Sequence, residues 1–153
     1  MKNIILCGMM GCGKTTCANL LGTKLGRQVV DTDDLVVKKA GMSISELFAA
    51  QGEAAMRDLE TQVARELSEK QDLVIATGGG LPLREENRNL LRTTSVVVFL
   101  RRDPGEIYDT GDMSGRPLGQ QGRDAFLARF AQREPIYQAF SHVIINEDRK
   151  SVV

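Results

Sequence analysis

A glycine-rich stretch near the beginning of the chain has the spacing of a phosphate-binding loop. Residues 8–15 read GMMGCGKT and fit the pattern G-x-x-x-x-G-K-[ST]. They lie between an apolar run typical of a strand and a pattern typical of a helix. The glycines let consecutive backbone N–H groups face an anion, and the helix N-terminus adds a positive partial charge. We predict that Lys14 contacts the β- and γ-phosphates of a nucleotide and that the Thr15 hydroxyl ligates Mg²⁺.

Two aspartates, Asp31 and Asp33, follow the second apolar run of the chain. Residues two apart at the end of a strand point the same way, so both carboxylates are predicted to face one site. In open α/β folds that site lies at the carboxyl edge of the sheet. Carboxylates there hold a metal through water and accept a proton from an attacking hydroxyl. Solvated aspartates in a turn are the alternative interpretation.

Three consecutive glycines, residues 78–80, come directly after the apolar run Leu73–Ala76. Such a turn permits a ligand to approach the backbone closely and offers N–H groups to an anion. Arg57, Arg116 and Arg133 are the arginines that we predict around this anion, because guanidinium groups bind carboxylate and phosphate with two hydrogen bonds. Glu60, three residues after Arg57, is placed to fix its guanidinium. An isolated arginine is more often a solvated surface group.

Short apolar runs alternate with helical patterns along the chain, which predicts a parallel sheet covered by helices on both faces. The predicted strands are residues 3–7, 28–30, 73–76, 95–100 and 143–145. We expect all of them to be buried on both faces, since their apolar runs are nearly continuous.

The helical patterns carry recognisable start and stop signals. One helix is predicted over Lys14–Leu25, ending at Gly26. Ser43 and Glu46 form a capping box that opens a second helix, and the pattern continues through residues 53–67. Asp34 is predicted in the first turn of the helix after the second strand, and Pro82 in the first turn of a helix after the glycines.

Composition favours one small-molecule-binding domain over residues 1–153. The 20 Lys and Arg balance the 20 Asp and Glu, which argues against nucleic acid or an anionic membrane as a partner. No signal peptide or membrane span is predicted, so we expect a cytoplasmic protein. We also expect it to be a monomer. Cys7, Cys12 and Cys17 do not have the spacing of a zinc site and are expected to be free, with a reactive Cys12 as the minority alternative. We assign no role to His142.

A long polar segment, residues 111–122, contains four glycines around Arg116. Connections of this length in a compact domain are usually lids or binding loops, so a lid is predicted here. A plain surface connection is the alternative interpretation.

Taken together, these motifs resemble the shikimate kinase family in order and spacing over nearly the whole chain. The matching elements are the phosphate loop, Asp31-x-Asp33, Arg57-x-x-Glu60, Gly78-Gly79-Gly80, Arg116-Pro117-Leu118 and Arg133-x-Pro135-x-Tyr137. The resemblance implies an α/β P-loop fold of the nucleoside-monophosphate-kinase type, with three αβα layers and a five-stranded parallel sheet in the order 2-3-1-4-5. It implies transfer of phosphate from ATP to shikimate, giving 3-phosphoshikimate in the pathway to aromatic amino acids.

The same resemblance implies a role for each matching position. Shikimate would be bound by Asp33, Arg57, Gly79, Gly80 and Arg133, with the two arginines on its carboxylate. Asp33 would also be the catalytic base, with Lys14 and Arg116 stabilising the transferring phosphoryl group. Mg²⁺ would be held by Thr15 directly and by Asp31 through water. ATP would be bound by Gly11, Cys12, Gly13, Lys14, Thr15, Thr16, Arg116 and Arg149.

The chain departs from the family pattern at two places. Members commonly carry an arginine that packs on adenine seven residues before the lid arginine, where this chain has Asp109. Members also usually end in a helix after the last strand, and no such helix is expected here.

Three other readings remain open from the sequence. A kinase of the same fold acting on gluconate would also need arginines and an aspartate. A nucleotide-dependent switch is a second alternative, although no Asn-Lys-x-Asp motif for guanine is present. A kinase made inactive by the change at Asp109 is the third.

Overall fold

The computed structural model describes residues 1–9, 11–110 and 122–146. Its centre is one parallel sheet of five strands in the order β2-β3-β1-β4-β5. The predicted strand order is therefore confirmed. The strands are β1 Asn3–Cys7, β2 Gln28–Asp31, β3 Leu73–Ala76, β4 Ser95–Arg101 and β5 Val143–Asn146.

Helices alternate with the strands, as the sequence pattern predicted. They are α1 Lys14–Leu25, α2 Thr32–Ala40, α3 Ile44–Ser68, α4 Glu85–Arg92, α5 Pro104–Thr110 and α6 Arg123–Phe140. The glycines after β3 lead into a 3₁₀ turn, Leu81–Leu83, and Pro82 lies in that turn rather than in α4.

Local signals in the sequence set the ends of several helices. Gly26 adopts a left-handed conformation and ends α1 as predicted, and the Ser43 hydroxyl accepts a hydrogen bond from the Glu46 amide at the start of α3. Asp31 caps α2 by accepting from the Asp33 amide at 2.8 Å. Gly52, with a φ of 83°, interrupts α3, so the helix that carries Arg57 begins anew after it.

The core lies along the three central strands. Ile5 of β1 pairs in register with Ile75 of β3 and Val97 of β4, and all three side chains are fully buried. Burial of such side chains is the main source of stability for a sheet of this kind. Because β1, β2 and β3 all end at the same edge, their following loops meet there.

The prediction that every strand is buried on both faces is wrong for the two edge strands. In β5 the side chains of Val143, Ile144 and Ile145 are 44–49% exposed, and β2 is only partly buried. Their apolar character reflects β propensity and does not report burial. Central strands therefore follow the parallel-sheet rule, whereas edge strands do not.

Three further expectations concern the chain as a whole. No helix in the described ranges is long and apolar enough to cross a membrane. Cys7, Cys12 and Cys17 are all free, and the first two are buried. His142 lies just before β5, where its ring Nδ1 accepts a hydrogen bond from the Val97 amide at 3.0 Å.

Candidate active site

The phosphate loop connects β1 to α1 and is shaped by its glycines. Gly8, Gly11 and Gly13 have φ angles of 146°, 80° and 96°, which other residues rarely adopt. At Gly8 there is also no space for a side chain, because a β-carbon would lie 2.6 Å from the carbonyl oxygen of Leu100. The loop therefore depends on glycine for conformation and for close packing against β4. Met10 falls outside the described residues.

Lys14 is the first residue of α1, and its side chain turns back over the loop. The ammonium group donates to the carbonyl oxygens of Gly8 at 2.7 Å and Met9 at 2.9 Å, and the residue is 9% exposed. These two bonds hold the cation at the mouth of the loop. Cys12 lies beneath it, with Sγ 3.8 Å from Nζ, so the buried thiol packs under the lysine.

Thr15 and Asp31 bring two oxygen donors together beside the loop. The Thr15 hydroxyl donates to Asp31 Oδ2 at 3.3 Å, while the other Asp31 oxygen caps α2. The same two residues face a cavity of about 260 Å³. The predicted metal pair is thus adjacent in space.

Asp33 faces the same cavity, but the predicted cause, the alternation of side chains at the end of a strand, is wrong. Only Asp31 belongs to β2, and Asp33 lies in the first turn of α2. The turn from strand to helix, and not the alternation of a strand, brings both carboxylates to one side. Asp34 also lies in this turn, as expected, and burial raises the pKa of its carboxyl, with the charge of Asp31 adding to the effect.

The glycine triplet after β3 is packed tightly between charged side chains. A β-carbon at Gly78 would lie 2.1 Å from Asp33 Oδ1, and one at Gly80 would lie 1.9 Å from Arg57 Nη1. A side chain at either position would therefore displace Asp33 or Arg57 from its place in the site. The Gly78 amide donates to the buried hydroxyl of Thr32 at 2.8 Å, which fixes the triplet to the start of α2.

Arg57 projects from α3 and is held by two carboxylates. Its Nη1 donates to Glu60 at 2.8 Å, and its Nη2 donates to Glu53 at 3.0 Å. Arg57 and Glu60 are both buried. Burial raises the pKa of the Glu60 carboxyl, which the charge of Arg57 opposes. The predicted role of Glu60 in fixing the guanidinium agrees with this geometry.

Arg133 reaches the same glycines from α6 but has a different environment. It is 5% exposed, and within the described ranges it makes no ion pair with a carboxylate. The hydroxyl of Tyr137, one turn further along the helix, approaches Gly79 together with the Arg133 guanidinium, and its partial negative charge favours the cation. Burial removes water from the Arg133 guanidinium and lowers its pKa, and the interactions that favour the cation offset this cost only in part.

The cavity brings together most of the residues predicted from sequence. Its walls are Gly11, Gly13, Lys14, Thr15, Thr16, Asp31, Asp33, Gly78 and Gly79. Arg57 and Arg133 lie next to the glycine triplet, where their guanidinium groups approach Gly80 and Gly79. The described residues contain no cluster of three or more His, Cys, Asp or Glu side chains suited to a metal.

Some predicted site residues cannot be located and others were missed. Arg116, Arg149 and, apart from Gly122, the predicted lid over residues 111–122 lie outside the described residues. Thr32, Glu53 and Tyr137 have contacts in the site that sequence reasoning did not predict. Tyr137 had a usable signal, because it follows Arg133 by four residues and therefore shares its face of α6.

Comparison with known proteins agrees with this geometry. The family model described as Shikimate kinase matches residues 10–153. A shikimate kinase of Symbiobacterium thermophilum is 43% identical over 98% of this chain and 89% of its own length. A solved structure, shikimate kinase from Acinetobacter baumannii in complex with shikimate, has a TM-score of 0.87 and 36% identity over 95% of this chain and 83% of that one. Shikimate kinase from Aquifex aeolicus has a TM-score of 0.82 and 34% identity, covering 94% and 86% of the two chains.

Proposed function

This chain belongs to the shikimate kinase family, and we propose how its own residues carry out the reaction of that family. The enzyme transfers a phosphoryl group from ATP to a hydroxyl of shikimate, giving ADP and 3-phosphoshikimate. Phosphoryl transfer depends chiefly on positioning and on stabilisation of charge. The proposal therefore assigns each charged group in the cavity to ATP or to the acceptor.

One observation carries the assignment of the acceptor. Two buried guanidinium groups, Arg57 of α3 and Arg133 of α6, approach the glycine triplet beside a cavity that Asp33 also lines. A carboxylate bound at this point would complete the pairing of Arg133, which has no acidic partner in the described part of the chain. Shikimate combines such a carboxylate with hydroxyl groups, which suit Asp33.

Asp33 is proposed as the base that accepts the proton of the attacking hydroxyl. Its carboxylate lies against Gly78 at the wall of the cavity, on the side where the phosphate loop ends. Gly79 and Gly80 are proposed to contact shikimate through their backbone. A carboxylate held in this way both orients the hydroxyl and removes its proton as the new bond forms.

Lys14 is proposed to stabilise the transferring phosphoryl group. The ammonium is already at the mouth of the loop, where it bonds to Gly8 and Met9, so phosphate oxygens can replace or join these carbonyl acceptors. The backbone of Gly11, Cys12 and Gly13, with Thr15 and Thr16, is proposed to bind the phosphates. Arg116 and Arg149, outside the described residues, are proposed to bind ATP on the resemblance alone, with Arg116 also stabilising the transferring group.

Thr15 and Asp31 fit a Mg²⁺ ion that accompanies ATP. A hydroxyl and a carboxylate 3.3 Å apart are hard oxygen donors, and Mg²⁺ in kinases commonly takes one or two protein ligands with phosphate and water completing the set. When bound, the ion neutralises charge on the phosphates. Thr15 would hold it directly and Asp31 through water.

We also propose that residues 1–153 form one kinase domain that works as a cytoplasmic monomer. Strands from both ends of the described chain join one sheet, which supports a single domain. Three free cysteines are compatible with a reducing compartment.

Coupled measurement of ADP release tests the function. Shikimate is expected to stimulate ADP release strongly over the rate without acceptor, and gluconate is not. Stimulation by gluconate instead would favour the related kinase. Hydrolysis that proceeds at the same rate with and without either acceptor would favour a nucleotide-dependent switch.

A further inference from the structure

Tyr137 lies against the glycine triplet that is proposed to bind shikimate, yet its side chain has no part in the roles assigned above. The residue is fully buried on α6, and its ring packs on Phe99 with centroids 5.3 Å apart. Its hydroxyl donates to the carbonyl oxygen of Gly79 at 2.5 Å and lies 3.6 Å from Met9 Sδ in the phosphate loop. The hydroxyl therefore contacts both halves of the active site.

The same hydroxyl also meets the guanidinium of Arg133. A β-carbon at Gly79 would lie 3.3 Å from Arg133 Nη1 and 3.4 Å from the Tyr137 oxygen, so both groups converge on this glycine. The Tyr137 hydroxyl donates to Gly79, and the positive charge of Arg133 acts on the same hydroxyl. The hydroxyl therefore lies beside a cation and donates to the Gly79 carbonyl, and the nearby cation polarises this hydrogen bond.

This arrangement restrains two ligand-binding elements relative to each other. In a trans peptide the C=O and the following N–H point in opposite directions, so holding the Gly79 carbonyl also directs the Gly80 N–H. Holding the Arg133 guanidinium restricts a long side chain that would otherwise sample many rotamers. Burial raises the pKa of Tyr137 to about 12, and the hydroxyl therefore keeps its proton across the range in which the enzyme is assayed.

We propose that Tyr137 is a positioning residue for shikimate. Its hydroxyl couples the Arg133 guanidinium to the Gly79 peptide, so that the group that binds the carboxylate of shikimate and the backbone that contacts shikimate are held in place together. The proposal rests on the proposed function, in which Arg133 binds the carboxylate of the substrate. It gives Tyr137 no direct contact with ATP or with the reacting atoms.

Tyr137→Phe tests this, because it keeps the buried ring and removes only the hydroxyl. We expect the KM for shikimate to rise about tenfold, which corresponds to about 1.4 kcal/mol. The KM for ATP and kcat should each stay within about twofold, since binding of shikimate is affected in ground and transition states alike. Tyr108→Phe is the matched control: Tyr108 packs on Phe126, and this variant should leave all three constants unchanged. Equal increases in both KM values would indicate a merely structural role and overturn the proposal.

A double mutant separates this inference from the proposed function. Arg133→Met alone should raise the KM for shikimate, and adding Tyr137→Phe should then have little further effect, because the two residues act through one another. If Arg133→Met leaves this KM unchanged, the proposed function of Arg133 is wrong. If Arg133→Met raises it and Tyr137→Phe does not, only the role of Tyr137 is wrong.

A spectroscopic measurement covers the case in which Tyr137→Phe fails to fold. The chain has 2 tyrosines and no tryptophan, so Tyr108→Phe leaves Tyr137 as the single emitting side chain. Shikimate should change the tyrosine emission of this variant, because the carboxylate of shikimate would partly neutralise the Arg133 charge beside the Tyr137 hydroxyl. Gluconate should not. Emission that stays unchanged at saturating shikimate would overturn the proposal.

Discussion

The two ends of the active site are built on different principles. The phosphate end is a contiguous loop in which the backbone and one lysine are proposed to bind phosphate, and its residues follow one another in sequence. The acceptor end combines Asp33 of α2, Arg57 of α3, the glycines after β3 and Arg133 of α6. A contiguous loop is specified by local geometry, whereas a composite site depends on packing of the whole domain. The phosphate end is therefore common to many enzymes, and the acceptor end determines the substrate.

The largest effect is expected at Asp33, where the two ends meet. Asp33→Asn should lower kcat about 10²–10⁴-fold, because the amide cannot accept the proton of the attacking hydroxyl. The fold should be retained, since the amide is isosteric and still fits against Gly78. Steady-state kinetics at saturating ATP and shikimate, together with thermal unfolding, measure both quantities. A kcat close to that of the wild type would exclude Asp33 as the base.

Lys14→Ala tests the phosphate end alone. We expect kcat to fall about 10²–10³-fold through loss of charge stabilisation in the transition state. The KM for shikimate should change little, because Lys14 contacts the loop and not the glycine triplet. An increase in the KM for shikimate as large as the decrease in kcat would mean that Lys14 also affects the acceptor end, and it would contradict the distinction between the two ends.

Removal of the charge should have different effects at the two arginines of the acceptor end: at Arg133 it should weaken shikimate binding, and at Arg57 it should lower the stability of the fold. Arg133→Met should raise the KM for shikimate about 10- to 100-fold, because a charge-assisted bond to the substrate is lost. Its thermal stability should not fall, since the buried guanidinium has no carboxylate partner in the described part of the chain.

Arg57→Met should instead unfold more easily, by about 3–5 kcal/mol, because Glu60 would remain buried without its partner. Chemical denaturation of both variants gives the difference. Equal loss of stability in the two variants would contradict the distinction between a paired and an unpaired arginine.

The pH dependence of Arg57→Met sharpens the same distinction. Burial raises the pKa of Glu60 in the folded state above its unfolded value, and loss of Arg57 raises it further. The folded state then binds more protons than the unfolded state, so stability increases as pH falls. We expect Arg57→Met to gain stability between about pH 7 and about pH 5 relative to the wild type. Arg57→Met combined with Glu60→Gln should lose this dependence.

Sequence reasoning reached the phosphate end more completely than the acceptor end. The pattern of residues 8–15 predicts the loop between β1 and α1, because conformation there is local. Asp33 was predicted to face the cavity through the alternation of side chains at a strand end, but α2 begins at Thr32, directly after β2, so Asp33 lies on a helix. The contact between Tyr137 and Gly79 joins residues 58 positions apart, which no local pattern reports.

Burial of the strands, like the contact of Tyr137 with Gly79, could not be predicted from a local pattern. The apolar runs predicted the positions of β1, β3 and β5 to within a residue, but not that β5 would be exposed. An apolar run indicates extended structure, while its place in the sheet depends on the order of strands. That order came from the resemblance to a family and not from the runs themselves.

The smallest effect is expected at Asp109, on the nucleotide side. The family pattern has an arginine there that packs on adenine, and Asp109→Arg should lower the KM for ATP several-fold, up to about tenfold, with little change in kcat. In the structure Asp109 is paired with Arg123, whose Nε lies 3.1 Å from Oδ1, and both side chains are about half exposed. Its negative charge is therefore already opposed, and an exposed pair of this kind contributes less than about 1 kcal/mol.

Asp109→Asn is the matched control, because it removes the charge without adding a guanidinium, and it should leave the KM for ATP within about twofold. A decrease with Asp109→Asn equal to that with Asp109→Arg would mean that the aspartate acts through its field and that no stacking on adenine is gained. No change with either variant would mean that residue 109 lies away from the base, and that nucleotide recognition depends on the phosphate end alone.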